Sequence, residues 1–433
     1  MDVDLETLAW HAMSNGGLHL RTVKVLLDHG QLEVVIRAAA ERGEWVCARE
    51  AVRELCAAGE FGRAEGVMAP FVAIGWRPAV WETARILVRA GRVEDAVALV
   101  SGAGDAEPRS AEDCRSLAEL LAEAGRVDEA IELLAPRLDE DGTAYCLERV
   151  TEGQGRDERV LDLLPPAAAS SRARVLERAG RVEEAARTLR DAIVVRDTVM
   201  VGTVKALAGL CLRHGRVEEL RELATGRHAT YAVRDYARAL GERGRSGEAE
   251  ALLRELIAEA EPYAEHYRWY LLELLCRQGR FGDAEEVARP TYGHEGHGLL
   301  ESFVHVLVEA GRADLAVRHV EELDAAGVLD EESDWVLVNR VWLLGEAGRY
   351  EDALAYAATL PPEEQPYTNM TVSGVLERLG RVDEAVELLR TTEGASAWEP
   401  VEVLARHGRG AEGLAGMPSL AEEREERSRR YGW

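Results

Sequence analysis

Ala124-Gly125-Arg126-Val127-Asp128-Glu129-Ala130 is the stretch whose reading decides the fold, because the chain repeats it. Close copies stand at Ala90-Gly91-Arg92-Val93-Glu94-Asp95-Ala96, Ala179-Gly180-Arg181-Val182-Glu183-Glu184-Ala185 and Leu379-Gly380-Arg381-Val382-Asp383-Glu384-Ala385. Weaker copies extend the series to thirteen turn glycines: Gly30, Gly59, Gly91, Gly125, Gly155, Gly180, Gly215, Gly244, Gly279, Gly311, Gly348, Gly380 and Gly408. They span 378 residues at a mean spacing of 31.5, room for two short helices and two turns. A fixed period of this length is the mark of a repeat architecture.

Each part of the motif has a physical reason. The Gly follows an apolar-periodic segment, where a left-handed residue closes a helix without a Cβ penalty. Asp or Glu three or four residues later suits the positive end of a new helix. Five residues after the Gly, nine copies carry Ala: Ala64, Ala96, Ala130, Ala185, Ala249, Ala284, Ala316, Ala353 and Ala385. A small residue held at one helical phase predicts close approach of another helix, where a larger side chain would overpack. Val127, Ala130, Ile131 and Leu134 continue that face at helical spacing, and no alternating strand pattern of useful length competes. The fold expected is all-α: an α-solenoid of about 12–13 antiparallel helix pairs.

Bulk properties agree with a folded, soluble repeat protein. Of 433 residues, 47% are hydrophobic and 30% charged, enough for a long core and its polar cover. No stretch reaches the roughly 20 apolar residues of a membrane span, and the acidic start Met1-Asp2-Val3-Asp4 is unlike a signal peptide. The expectation is a cytoplasmic protein that does not engage a membrane. Cys47, Cys56, Cys114, Cys146, Cys211 and Cys276 form no CxxC pair and read as free core thiols. Residues 1–17 read as an N-terminal cap helix, 18–418 as the solenoid, and 419–433 as a charged cap helix or tail; a docking peptide ending in Tyr431-Gly432-Trp433 is the alternative for the last segment.

Motifs with chemistry are few. Gly408-Arg409-Gly410-Ala411-Glu412-Gly413 matches GxGxxG but lacks the preceding strand a dinucleotide site needs. His294-Glu295-Gly296-His297 lacks the HExxH spacing of a zinc protease and reads as a loop. Neither GxxxxGK[ST] nor GxSxG occurs, so no enzyme, cofactor or metal is expected.

The Gly-x-apolar-x-x-Ala turn resembles the tetratricopeptide repeat, over roughly residues 16–416. That family's first-helix signature is only partly present, as in Val204, Leu207, Ala208 and Cys211 before Gly215. Spacing drifts from 25 residues (Gly155 to Gly180) to 37 (Gly311 to Gly348), so the repeats are degenerate. The resemblance implies a right-handed superhelix whose first helices line a concave, protein-binding groove. Ala208 to Glu219 also resembles the RNA-reading pentatricopeptide repeat locally, which makes RNA binding a minor alternative.

The net charge of −27 is unevenly spread. Residues 165–245 carry 16 basic and 10 acidic residues, a net of +6, which leaves −33 for the remainder. In the tetratricopeptide register, groove positions counted back from each turn Gly are Arg174, Arg178, Lys205, Arg213, Tyr231, Arg234, Arg238, His266, Trp269 and Arg277. Trp335, Trp342 and Tyr367 would extend the row. Guanidinium groups pair with carboxylates, and aromatic rings add contact area at low entropic cost. An interaction scaffold or adaptor for an acidic peptide or acidic protein surface is therefore expected, with nucleic acid disfavoured by the charge. A peptide- or ligand-sensing regulatory solenoid and self-association between belt and flanks are the alternatives. The family's carboxylate clamp is not reproduced, because Gly209 stands where its Asn would be. The competing reading of the belt is structural: the Arg residues pair with Glu on adjacent helices, and the Trp residues are core.

Overall fold

All thirteen turn glycines sit in the left-handed region, with φ between 66° and 78°. In the computed structural model, which describes residues 4–14, 16–102, 110–195, 198–227, 229–259, 264–289, 299–329, 334–361, 365–392, 394 and 396–431, each of them joins two helices. Among the described residues, the amide after the Gly reaches back to a carbonyl five residues earlier in twelve of the thirteen turns, as from Arg126 to Leu121 at 2.8 Å. This satisfies a carbonyl that the ending helix would otherwise leave unpaired.

The chain divides into two compact units, one built from residues 1–137 and 357–433, the other from 138–356. The first unit opens with α1 (Leu5–Ser14), α2 (Leu20–Asp28), α3 (Leu32–Arg42), α4 (Trp45–Ala57), α5 (Phe61–Ala73), α6 (Arg77–Arg89), α7 (Val93–Gly102), α8 (Ala111–Glu123) and α9 (Val127–Leu134). The second unit holds α10 (Thr143–Val150), α11 (Asp157–Leu163), α12 (Ala169–Arg178), α13 (Val182–Asp191), α14 (Val201–Arg213), α15 (Val217–Thr225), α16 (Ala229–Glu242), α17 (Ser246–Glu259), α18 (Ala264–Arg277), α19 (Phe281–Ala288), α20 (Leu300–Glu309), α21 (Ala313–Ala325), α22 (Asp334–Glu346) and α23 (Tyr350–Ala357). The first unit then resumes with α24 (Gln365–Arg378), α25 (Val382–Thr391), α26 (Glu399–Arg406), α27 (Gly410–Ala415) and α28 (Leu420–Tyr431). Among the described residues, α2 to α27 follow one another as thirteen helix–turn–helix units, from α2/α3 to α26/α27, with α1 and α28 left over. The expected all-α repeat is present. One small departure is the hairpin of β1 (Val194–Val195) and β2 (Thr198–Val199), inserted between two pairs.

The position five after each turn Gly is closed off from solvent. All nine alanines there are fully buried, and so are Val35, Val160 and Leu220 in three other copies. In the thirteenth copy the residue is Gly413, where even a Cβ would lie 2.9 Å from the Val401 Cα. All six cysteines are buried thiols.

Within the first unit, the two ends of the chain pack together. α26 lies against α2, α27 against α3, and α1 against α28. Val401, Ala405 and Leu414 belong to the same buried cluster as Val23, Leu26 and Val35. The pair α26/α27 thus meets α2/α3 as one repeat meets the next. The segments expected as separate ends, 1–17 and 419–433, hold α1 and α28.

Candidate binding surface

The most regular polar feature is the Arg that follows the turn Gly. It bonds a carboxylate three residues ahead and reaches a second one on the preceding helix pair. Arg92 takes Asp95 and Glu65, Arg126 takes Glu129 and Glu94, and Arg216 takes Glu183, at 2.7 Å, together with Glu219. Arg181, Arg280, Arg349 and Arg409 repeat the arrangement. At Gly59 the charges are exchanged: Glu60 follows the Gly, and Arg63 bonds both Glu60 and Glu33 of the preceding pair. Among the described residues, these arginines form a ladder that ties neighbouring pairs within each unit, in acidic and basic regions alike.

The expected groove residues lie on the helices that precede the turns, so their surroundings follow from helix-to-helix contacts. Arg178 is the most enclosed. It donates from Nε to Asp157 at 2.8 Å, from Nη1 to the Glu148 carbonyl at 2.6 Å, and from Nη2 to the Thr151 hydroxyl at 2.8 Å. Arg213 donates twice to Glu177, both at 2.8 Å. Arg178 thus turns its donors into the fold, whereas Arg213 is held on Glu177 at the surface. Glu177, the acceptor of Arg213, is held below the usual carboxylate range, first by the Arg213 bond, against the effect of partial burial, with a further bond to His214.

Other members of the row stay open to solvent. Arg234 on α16 is 56% exposed and lies over the Trp269 ring of α18, 5.0 Å from its centroid and 6.0 Å from that of Tyr270. It makes a loose ion pair, 3.6 Å to Glu273, which also takes Arg277. His266 accepts from or donates to the Tyr270 hydroxyl at 2.6 Å. Tyr231 and Lys205 are exposed, and Arg238 meets Asp235 at 3.4 Å. Arg174, half exposed, pairs with Glu148 at 3.1 Å and covers the Tyr145 ring. Trp342 stacks on His305 at 4.7 Å. The side chains of Trp335 and Tyr367 lie outside the described residues, and Tyr367 belongs to the first unit.

Tyr145, Tyr270 and His305 were missed by the sequence reading. Tyr145 sits ten residues before Gly155, the place of Lys205, Arg234 and Trp269 in their own repeats. His305 sits six before Gly311, as Trp342 does before Gly348. Extending the same count to these two turns would have found both. Burial raises the Tyr270 hydroxyl above its ordinary pKa, so it stays neutral.

Among the described residues, no group of three or more His, Cys, Asp or Glu is arranged to hold a metal ion. The His294 to His297 segment lies outside them. No helix among them is long and apolar enough to cross a membrane.

Models of the tetratricopeptide repeat match residues 81–142 and, in a second form, residues 166–191 and 231–255. No curated protein matches the sequence. Similar solved structures include a chain of the Naa15/Naa10 complex bound to HypK-THB, at 14% identity over 86% of this chain and 67% of that one, with a TM-score of 0.38. The pentatricopeptide repeat protein PPR10 in complex with an 18-nt psaJ RNA element matches at 19% identity over 96% of this chain and 66% of that one, with a TM-score of 0.39. PPR10 from maize matches at 20% identity over 96% and 65%, with a TM-score of 0.37. This chain spans about two thirds of the length of those chains, and the likeness is one of helical-repeat fold only. The Gly-closed helix pairs, the buried small residue five positions on and the matched stretches agree: the chain is built of helical repeats and carries tetratricopeptide repeats at residues 81–142, 166–191 and 231–255.

Proposed function

We propose that this protein is a non-catalytic interaction scaffold whose second unit holds an acidic peptide or acidic protein segment against helices α12, α14, α16 and α18. The observation that carries the reading is Arg234, half exposed and stacked on two aromatic rings of the adjacent first helix. Stacking fixes the guanidinium plane, so fewer rotamers are lost when a carboxylate docks on its free edge. Lys205, Arg238 and Arg277 add positive charge nearby. Arg178 and Arg213 contribute to the frame and not to the contact. The buried thiols favour a reducing, cytoplasmic setting.

The test is recovery of partners from the native cell by the wild-type chain, by an Arg234→Glu/Arg238→Glu variant and by Trp269→Ala. Loss of about 2 kcal/mol at such a contact corresponds to roughly thirty-fold weaker binding, so an acidic protein should drop out of both variants while an Arg63→Ala control retains it. Partners held unchanged by both variants would sink the reading, and so would a retained partner removed by ribonuclease.

A further inference from the structure

The contact between α1 and α28 joins residues more than 400 positions apart in the chain and encloses an ionisable group at its centre. His11, 6% exposed, places Nε2 2.8 Å from the Leu420 carbonyl oxygen. A carbonyl only accepts, so Nε2 carries the hydrogen and Nδ1 is the bare nitrogen of a neutral ring. Nδ1 is buried and has no hydrogen-bond partner. The Gly16 backbone closes over it, tightly enough that a Cβ at Gly16 would collide with the imidazole, so no room is left for a water. A second proton on His11 would therefore be a buried donor without an acceptor, on a buried charge.

The charged neighbours do not remove that cost. From α28, Glu423 favours the charged ring, while Arg424 and Arg427 oppose it; Arg424 is itself tied to Glu6 and Thr7 of α1, and Arg427 to the Ser14 carbonyl. From the start of α4, Glu44 bonds the Leu18 amide at 2.9 Å with Arg42 beside it, and Glu423 bonds the adjacent Gly17 amide at 3.0 Å. Burial is the largest influence on His11 and leaves it harder to protonate than a free imidazole.

We propose that the α1–α28 contact is a proton-operated clasp, closed while His11 is neutral and released when its ring takes a second proton. Release uncovers Leu8, Leu18 and Leu420, which the contact keeps nearly free of solvent. The sign follows from the depressed affinity for protons. Closure has its full contribution from His11 above the free-imidazole pKa of about 6.5, and loses it as pH falls through the lower value in the closed form. Glu44, which burial raises above the carboxylate range, works in the opposite sense only if its own surroundings open. Its bond to Leu18 lies wholly within the N-terminal segment, so release of α28 leaves it in place.

The full chain tests this with spin labels at Met13→Cys and Glu425→Cys, both exposed positions, the native cysteines being buried. One short distance is expected at pH 8. A second, longer distance should appear toward pH 5.5, with the open-to-closed ratio rising at most ten-fold per pH unit, the limit for one proton. His11→Gln keeps a donor for Leu420 and should remain closed at both pH values, whereas Glu44→Gln should respond as the wild type does. Identical distances at pH 8 and 5.5, or an unchanged response in His11→Gln, overturn the proposal. Should His11→Gln fold poorly, the ring proton signal of His11 in the wild-type chain decides: its midpoint must coincide with that of the distance change, and a mismatch overturns the clasp.

Discussion

Two kinds of junction between helix pairs coexist in the first unit, and they are fastened differently. Where pairs follow one another in sequence, as α8/α9 follows α6/α7, the polar tie is the half-buried Arg126 bonding the exposed Glu129 and Glu94. Where α26/α27 meets α2/α3, the residue after the turn Gly is Gln31. Its Nε2 donates to the Ala405 carbonyl at 2.6 Å, and its Oε1 accepts from the Gly410 amide at 2.9 Å. Arg42 covers the carbonyls of Leu414, Met417 and Pro418, and the buried Thr22 hydroxyl donates to Glu402 at 3.0 Å. Sequential pairs are already held close by a short connection. Bringing together residues about 380 apart instead of about 30 costs roughly 2 kcal/mol more in loop closure. Enclosed bonds to backbone, worth about 1 kcal/mol each, offset that difference, whereas exposed ion pairs would not.

Removing the distinctive fastener should have the largest effect. Gln31→Ala strands a carbonyl and an amide together and should cost about 2–4 kcal/mol, read as a lower denaturant midpoint with loss of hydrogen-exchange protection in α26 and α27. If Gln31→Arg, which restores the usual turn residue, is as stable as wild type, the contrast between the junctions fails. Next comes Ala185→Leu in the second unit, which overpacks a fully buried site and should lose about 1–3 kcal/mol by the same denaturant measurement. A midpoint within error of wild type would mean that the small residue does not set helix approach.

A third prediction uses a motif found in both units. Glu177 takes Arg213 and His214, and Glu377 takes Arg406 and His407. For Glu377, burial pushes the carboxyl up, but the bonds from Arg406 and His407 outweigh it, and the net position is below the usual range. Both groups therefore contribute stability that is complete above the unfolded carboxyl value near 4.5 and lost as pH falls through the lowered one. Glu177→Gln should cost about 1–2 kcal/mol at pH 7 and flatten acid unfolding of the second unit; Glu377→Gln should do so for the first. Unfolding followed from pH 7 to 3 checks both. The smallest effect belongs to the ladder: Arg126→Ala should lower the thermal midpoint only slightly, and the difference should vanish in high salt. A large, salt-resistant loss there would put the ladder on a par with the Gln31 junction.

What the sequence disclosed was local. Gly125, Arg126 and Ala130 act within one turn and its neighbouring helix, so their spacing alone announces the pairs. The absence of Arg after Gly30 was visible too, but its meaning lay in Ala405 and Gly410, which no short-range pattern connects to it. The same limit applied to the expected surface. Arg234 and Trp269 share a register and do meet. Arg178 shares the composition of that row, yet it points its donors at the Glu148 carbonyl and the Thr151 hydroxyl. A backbone acceptor leaves no mark in the amino-acid string. His11 was unremarked for a related reason, its partner being the main chain of Leu420.

The glycine turns have one further consequence, which concerns change over generations. Every fastening in the ladder is made at the same end of each hairpin, between a turn Gly and the carboxylates just beyond it. At the other end, where one pair passes to the next, the chain accommodates the hairpin of β1 and β2 between α13 and α14 while Arg216 still reaches Glu183. Insertions and deletions are thereby sorted: those between pairs shift length alone, while those between a Gly and its fifth follower break both packing and pairing. Repeats indexed at one edge can drift from 25 to 37 residues and still stack, so new loops can be trialled without renegotiating the core.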